Sequence, residues 1–304
     1  MKIAVMGSGG VGGYFGARLQ QAGNEVSYFA RGRHLQALRK DGLTVESPLG
    51  AARLKVQVFE HPAEAGIADV VLFAVKLWDT ESAAEKLRPV VGPDTAVIPF
   101  QNGVESIARL RKVFPEKAVL GGSAYIATRV KAPGVIEHIG DMSRLQFGPV
   151  LPSQKGKAEA FLAACREAKI NAEIPDDIVK ANWEKFVFLV AVSSATAVAR
   201  APLGVVRSDP DLRWLFEQAM RETWRLGRAR GVALADDFVE ARVKFADSLH
   251  AGMKASLAHD LENRGRLEAP WLCGAVARMS DESGLEAPVN RAVYAALKPY
   301  LDGQ

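Results

Sequence analysis

The residues with the clearest chemical potential lie near the N-terminus, where the chain reads Gly7, Ser8, Gly9, Gly10, Val11 and Gly12. This GxGxxG spacing directly follows a short apolar run and precedes a helical pattern. In that setting Gly7 allows a tight turn, Gly9 lets the backbone approach a pyrophosphate, and Gly12 lets helix and strand pack closely. The helix N-terminus then holds the anion. The pattern predicts a dinucleotide-binding loop.

The end of the second predicted strand indicates which dinucleotide is preferred. Sites for NAD usually place an acidic side chain about 20 residues after the loop, where it binds the ribose 2′-hydroxyl. Here the strand ends at Phe29 and is followed by Arg31 and Arg33, with no carboxylate. Arg31 can pair with a 2′-phosphate through its planar donor fork. We therefore predict NADPH rather than NADH.

Two further polar residues follow predicted strands. Lys76 comes after the strand expected at 70–75, and Asn102 comes after the strand expected at 96–100. Open α/β sheets bind ligands just beyond the carboxyl ends of their strands, so both residues are candidate ligand contacts. A solvated loop lysine and a turn-forming asparagine are the alternatives.

Two charged residues of the second half stand at notable positions. Lys185 stands immediately before the apolar run 186–192, an unusual place for a charge on a solvated face, so we expect its surroundings to be partly buried. A surface lysine whose stem covers apolar neighbours is the alternative. Glu268 precedes Ala269-Pro270 at a predicted helix start, where the helix dipole alone could explain a carboxylate.

These candidate residues must be positioned by a scaffold. The hydrophobic patterning predicts a scaffold that consists of two domains. The first half alternates β-branched runs near 3–6, 25–29, 70–75 and 96–100 with helical patterns near 10–22, 80–90 and 104–113. We expect the extended segments 53–59, 119–128, 135–139 and 144–147 to enlarge the same sheet, partly antiparallel. Helical spacing dominates later, at 177–200, 210–230, 235–250, 270–283 and 289–302. The prediction is an α/β Rossmann domain with a mostly parallel sheet (1–173) and an all-α C-terminal domain (174–304).

Composition excludes several classes of protein. The net charge of +4 is small and dispersed, which argues against a nucleic-acid partner. Cys165 and Cys273 form no CxxC pair, so we expect neither a metal site nor a disulfide. The longest apolar stretch, 186–199, is interrupted by Ser and Thr, so we expect no membrane span and a cytoplasmic protein. The sequence leaves open whether the protein forms a homodimer.

Taken together, these motifs resemble the ketopantoate reductase family over nearly the whole chain. The resemblance rests on the glycine loop and on 30–33, Val75-Lys76, 101–103, 183–185, Ser256, Leu267-Glu268, 274–276 and 287–290. It implies NADPH-dependent reduction of 2-dehydropantoate, a 2-oxo acid, to pantoate on the route to coenzyme A.

The resemblance also implies roles for single residues. Lys185 would be the general acid, and Glu268 would hydrogen-bond the substrate hydroxyl and help to orient Lys185. Ser256 would bind the substrate carboxylate, and Ser193 would contact the substrate. Asn102 would lie near the nicotinamide and the substrate, and Lys76 would contact cofactor or substrate.

The chain departs from the family pattern at several substrate positions. Family asparagines four and eight residues after the lysine are replaced by Leu189 and Ser193, and another by Met253; Trp271 also stands in an atypical segment. Two alternatives therefore stay open. One is a paralogous NADPH-dependent reductase of another 2-oxo acid or carbonyl compound, and the other is a non-catalytic NADP-binding redox sensor.

Overall fold

The computed structural model of this protein describes residues 1–303. Contacts divide the chain into two compact units, Met1–Ile178 and Val179–Gln304. The first unit combines parallel strands with helices and the second is helical, which confirms the predicted fold class. The domain boundary between residues 173 and 174 stays a prediction.

The first unit is built from two sheets and five helices. Its strands are β1 (Lys2–Met6), β2 (Glu25–Phe29), β3 (Leu43–Glu46), β4 (Ala52–Leu54), β5 (Gln57–Phe59), β6 (Ala68–Phe73), β7 (Val91–Pro99), β8 (Gly121–Ala132), β9 (Val135–Gly148) and β10 (Asn171–Glu173). Its helices are α1 (Gly10–Gln21), α2 (Gly32–Asp41), α3 (Thr80–Leu87), α4 (Ser106–Arg111) and α5 (Lys155–Glu167).

The first sheet positions the candidate cofactor residues. Its strand order is β5-β2-β1-β6-β7, and every neighbouring pair is parallel. The carboxyl ends of its strands therefore share one edge, and the loops that follow β1, β2, β6 and β7 start there. These loops contain the glycine motif, Arg31, Lys76 and Asn102.

The expectation that the later extended segments enlarge this sheet is wrong for most of them. Strands β10, β9, β3 and β4 form a second sheet in that order, and β8 pairs antiparallel with β9 through the turn at Pro133-Gly134. The predicted segment 53–59 divides, with β4 in the second sheet and β5 at the edge of the first. Periodicity predicts a strand but not its pairing partner, and pairing here is decided by contacts distant in sequence.

Helix α1 packs against both sheets. Its Tyr14, Phe15 and Leu19 are buried in one apolar core with Tyr28 of β2 and Ile136 of β9. On the other face of the first sheet, α3 and α4 contribute Leu87, Leu110 and their neighbours to a second core. The loop before α1 is consequently held between a parallel sheet and a hairpin.

The second unit consists of helices. They are α6 (Ile178–Ala199), α7 (Leu203–Ser208), α8 (Pro210–Ala229), α9 (Phe238–Ser248), α10 (Ser256–Glu262), α11 (Cys273–Glu282) and α12 (Pro288–Leu297). Within the described part of the chain, four helices lie outside the segments predicted as helical: α2, α5, α7 and α10. Within residues 1–303, no helix has the length and apolar character needed to cross a membrane.

Candidate functional site

Two glycines of the loop are required by the packing of the chain itself. Gly7 follows β1 with φ +97°, and a Cβ on it would lie 2.7 Å from the backbone nitrogen of Val75. A Cβ on Gly12 would lie 2.3 Å from the carbonyl oxygen of Gly7. Larger side chains at either position would therefore push strand and helix apart.

Gly9 differs, because the protein leaves its side-chain position open. The nearest atom to a Cβ there is Cγ2 of Val130, at 3.9 Å. Gly9 is the N-cap of α1, no side chain caps that helix, and its first turn has no acidic residue. The open position beside an uncapped helix N-terminus fits the pyrophosphate of a dinucleotide.

The other three residues of the loop, Ser8, Gly10 and Val11, are packed against the rest of the first unit. Ser8 is buried, and its hydroxyl donates to the Phe29 carbonyl over 3.0 Å. A Cβ on Gly10 would lie 2.7 Å from the hydroxyl oxygen of Thr128, so β8 lies close against the loop. The side chain of Val11 packs against the core.

Arg31 stands directly after β2 as the N-cap of α2, and 76% of its side chain is exposed. Its Nη2 lies 2.6 Å from Oδ2 of Asp79, which ends a 3-10 turn after β6. The pair joins two loops at the carboxyl edge of the first sheet. The sequence analysis identified Arg31 but missed Asp79. The sequence feature that could have pointed to Asp79 is its position three residues after Lys76.

Lys76 and Asn102 belong to neighbouring loops that are tied together by the buried Gln101. The amide nitrogen of Gln101 donates to the Val75 carbonyl and to the Thr80 hydroxyl, both over 2.9 Å. Lys76 is exposed, with Nζ 5.5 Å from the ring centroid of Trp78, and Asn102 is partly buried. Gln101 thus joins the two loops that contain Lys76 and Asn102, and it stands directly before Asn102 in the sequence.

In the second unit, Lys185 lies on α6 and Glu268 directly before the 3-10 turn Ala269–Trp271. Lys185 is partly buried and Glu268 is buried. Burial lowers the pKa of Lys185 to about 8, and the negative charge of Glu268 opposes that shift. The pair therefore consists of the Glu268 carboxylate and the Lys185 amine, and this amine can gain or lose a proton near neutral pH.

Leu189 and Ser193 follow Lys185 at intervals of four residues, which places all three on one face of α6. Ser193 is 1% exposed, and its hydroxyl has no hydrogen-bond partner within the described residues. Leu189 and Met253 are partly buried, so apolar groups stand where the family pattern has amides.

Ser256 is the first residue of α10 and is exposed. The structure brings Lys185 and Glu268 together. Across residues 1–303, His, Cys, Asp and Glu side chains form no group of three that could hold a metal ion.

Comparison with known families accounts for most of the chain. A family described as "Ketopantoate reductase PanE/ApbA" matches residues 3–152, and its C-terminal counterpart matches residues 177–301. The resemblance inferred from the motifs is thereby confirmed.

Individual proteins agree with this match. An uncharacterized oxidoreductase of Bacillus subtilis, YkpB, is 30% identical over 300 residues, with 99% of each chain covered. A 2-dehydropantoate 2-reductase of Archaeoglobus fulgidus is 33% identical and covers 96% of this chain and 95% of its own length. A crystal structure of a PanE/ApbA family ketopantoate reductase from Ralstonia eutropha superposes with a TM-score of 0.89 at 33% identity, covering 99% and 98% of the two chains.

Proposed function

Because the chain belongs to the ketopantoate reductase family of oxidoreductases, we propose that it reduces 2-dehydropantoate to pantoate with NADPH. The observation that carries this proposal is the Lys185–Glu268 pair, in which burial brings the lysine pKa to about 8. General acids work best when their pKa lies near the operating pH. A lysine tuned in this way can protonate a ketone oxygen.

The first unit supplies the cofactor site of this proposal. Backbone amides at the N-terminus of α1 hold the pyrophosphate beside Gly9, and the guanidinium of Arg31 pairs with the 2′-phosphate. Lys76 and Asn102, on loops joined by Gln101, contact the remainder of the cofactor. When bound, the nicotinamide supplies the hydride for the reaction.

The second unit supplies the proton. Lys185 donates it to the ketone oxygen, and the Glu268 carboxylate favours the charged ammonium and orients it. Glu268 also accepts a hydrogen bond from the substrate hydroxyl. Ser193, whose buried hydroxyl has no hydrogen-bond partner among residues 1–303, contacts the substrate, and Ser256 binds the substrate carboxylate.

A second candidate function is reduction of another, less polar 2-oxo acid by the same chemistry. Leu189, one helical turn beyond Lys185, favours it because an apolar side chain leaves a substrate hydroxyl without a partner. An unpaired polar group costs binding about 1–3 kcal/mol. Met253 would act in the same direction.

The test is steady-state NADPH oxidation with 2-dehydropantoate, compared with pyruvate and with 2-oxoisovalerate, which lacks the 4-hydroxyl group. Turnover that is selective for 2-dehydropantoate supports the proposal, and a preference for 2-oxoisovalerate supports the second candidate. A Leu189→Asn variant sharpens the test, since it should shift selectivity toward the hydroxylated substrate. Tight NADPH binding without turnover of any carbonyl compound contradicts both.

A further inference from the structure

His34 connects three elements around the glycine loop. It lies in the first turn of α2 and is partly buried. Its Nε2 is 2.8 Å from the carbonyl oxygen of Ser8, and its Nδ1 is 3.1 Å from the backbone nitrogen of Gly134. One imidazole therefore joins the loop after β1 to the turn of the β8–β9 hairpin.

The two partners determine the protonation of the ring. The amide of Gly134 can only donate, so Nδ1 must carry a lone pair and accept. The carbonyl of Ser8 can only accept, so Nε2 must carry the proton and donate. The geometry requires a neutral imidazole protonated on Nε2.

The hydrogen bond between His34 and the Ser8 carbonyl also sets the direction of the next backbone N–H, that of Gly9. The carbonyl of Ser8 and the N–H of Gly9 belong to the same planar peptide group, in which they point in opposite directions. Holding the carbonyl on His34 therefore turns the Gly9 N–H away from α2. No acceptor is recorded for this N–H within residues 1–303.

The direction of this N–H matters because Gly9 is the residue whose side-chain position the protein leaves open. The hydroxyl of Ser8 is already bonded to the Phe29 carbonyl, which anchors the side chain but leaves the Ser8 carbonyl to be oriented by another group. Among the described side chains, His34 supplies that bond.

We infer that His34 is a positioning residue for the cofactor: through the Ser8–Gly9 peptide group it aims the Gly9 amide at the pyrophosphate. This inference rests on the proposed cofactor site. It assigns His34 no contact with substrate and no part in the proton transfer.

The test compares two ligands on the full-length protein. NADPH carries the pyrophosphate, whereas adenosine 2′-phosphate shares the 2′-phosphate and lacks the pyrophosphate. His34→Ala should raise the Kd for NADPH about tenfold, because a hydrogen bond to a charged group is weakened. The Kd for adenosine 2′-phosphate and kcat at saturating NADPH should stay close to the wild-type values.

Two further variants separate positioning from packing. Gln36→Ala, an exposed position on the same helix, should bind both ligands as the wild type does. His34→Gln presents both a donor and an acceptor and should recover most of the lost NADPH affinity. An equal loss for both ligands, or no recovery by His34→Gln, would assign the effect to packing and overturn the inference.

A measurement on the unaltered protein covers the case in which His34→Ala does not fold. Nitrogen NMR of His34 should show the proton on Nε2, both in the free protein and with NADPH. A neutral ring with its proton on Nδ1 would overturn the inference, since Nε2 would then have no proton to donate to the Ser8 carbonyl. A wild-type protein that binds neither NADPH nor NADH would instead contradict the proposed cofactor site itself.

Discussion

The glycine loop of the first unit and the Lys185–Glu268 pair of the second depend on different physical effects. The loop depends on close backbone contacts, such as the 2.3 Å that would separate a Cβ on Gly12 from the Gly7 carbonyl. The pair depends on burial and charge, which set the protonation of one amine. Shape determines the first region, and electrostatics determine the second.

Because of this difference, we expect the two regions to tolerate different kinds of amino-acid substitution. A methyl group added to Gly7 or Gly12 collides with backbone, whereas one added to Gly9 enters the open space that the proposed pyrophosphate site would use. If Lys185 is the proposed general acid, its side-chain volume matters less than its ability to carry a proton at neutral pH. Substitutions in the two regions should therefore affect different measurable quantities.

The largest expected effect comes from Lys185→Ala. Loss of a general acid lowers kcat by about 10²- to 10⁴-fold, whereas the Kd for NADPH should remain close to that of the wild type. Stopped-flow single turnovers together with fluorescence titration measure both quantities. Lys244→Ala, an exposed lysine of the same unit, is the control. Wild-type turnover in Lys185→Ala would show that the lysine has no part in the mechanism. The contrast between the glycine loop and the Lys185–Glu268 pair would then fail.

The pH dependence should also distinguish the two regions. In the proposed mechanism, ketone reduction requires protonated Lys185, which predominates below its pKa of about 8. Above that pH, kcat/KM for reduction should fall about tenfold per pH unit as the ammonium form is lost. In Lys185→Ala this fall should disappear. A wild-type profile that stays flat beyond pH 8 would contradict the assignment of the lysine.

Within the loop, Gly12→Ala and Gly9→Ala form a matched pair. A Cβ on Gly12 collides with backbone, so we expect a loss of about 1–3 kcal/mol in the free energy of unfolding. A Cβ on Gly9 meets no atom closer than 3.9 Å, so stability should change little while NADPH affinity falls. Denaturant unfolding and NADPH titration check both. Equal affinity losses without any difference in stability would show that the two glycines do not differ in role.

The smallest effect concerns the Arg31–Asp79 pair. In the proposed cofactor site, the carboxylate of Asp79 would compete with the 2′-phosphate for Arg31 and would repel the phosphate, but Arg31 is 76% exposed and the pair is screened by solvent. Asp79→Asn should therefore tighten NADPH binding only about two- to fivefold, with NADH binding nearly unchanged. Asp69→Asn is the control, because Asp69 lies in β6 and accepts a hydrogen bond from the backbone nitrogen of Lys2. Weaker NADPH binding in Asp79→Asn would mean that the carboxylate positions Arg31 instead.

Local spacing explains why the sequence was sufficient for some features. The glycine loop was predictable because turn, strand and helix signals all fall within 20 residues of the N-terminus. Lys185 was recognisable as a charged residue at the start of an apolar run. Such signals need no knowledge of distant partners.

The features that were missed depend on contacts between distant residues. Asp79 lies 48 residues from Arg31, and Gly134 lies 100 residues from His34. The second sheet forms because β9 pairs with β3 and β10, which no periodicity specifies. Local patterns predict which segments are extended, but tertiary packing decides which side chains meet.

The placement of α1 between two sheets also has a kinetic consequence. Four glycines, Gly10, Gly12, Gly13 and Gly16, make it a poor helix in isolation, because each costs about 1 kcal/mol relative to alanine. Its stability must come from the two sheets, so we expect the loop to form after the folding transition state. NADPH should then slow unfolding while leaving the refolding rate unchanged, so that the ligand prolongs the lifetime of the native state without guiding the chain toward it.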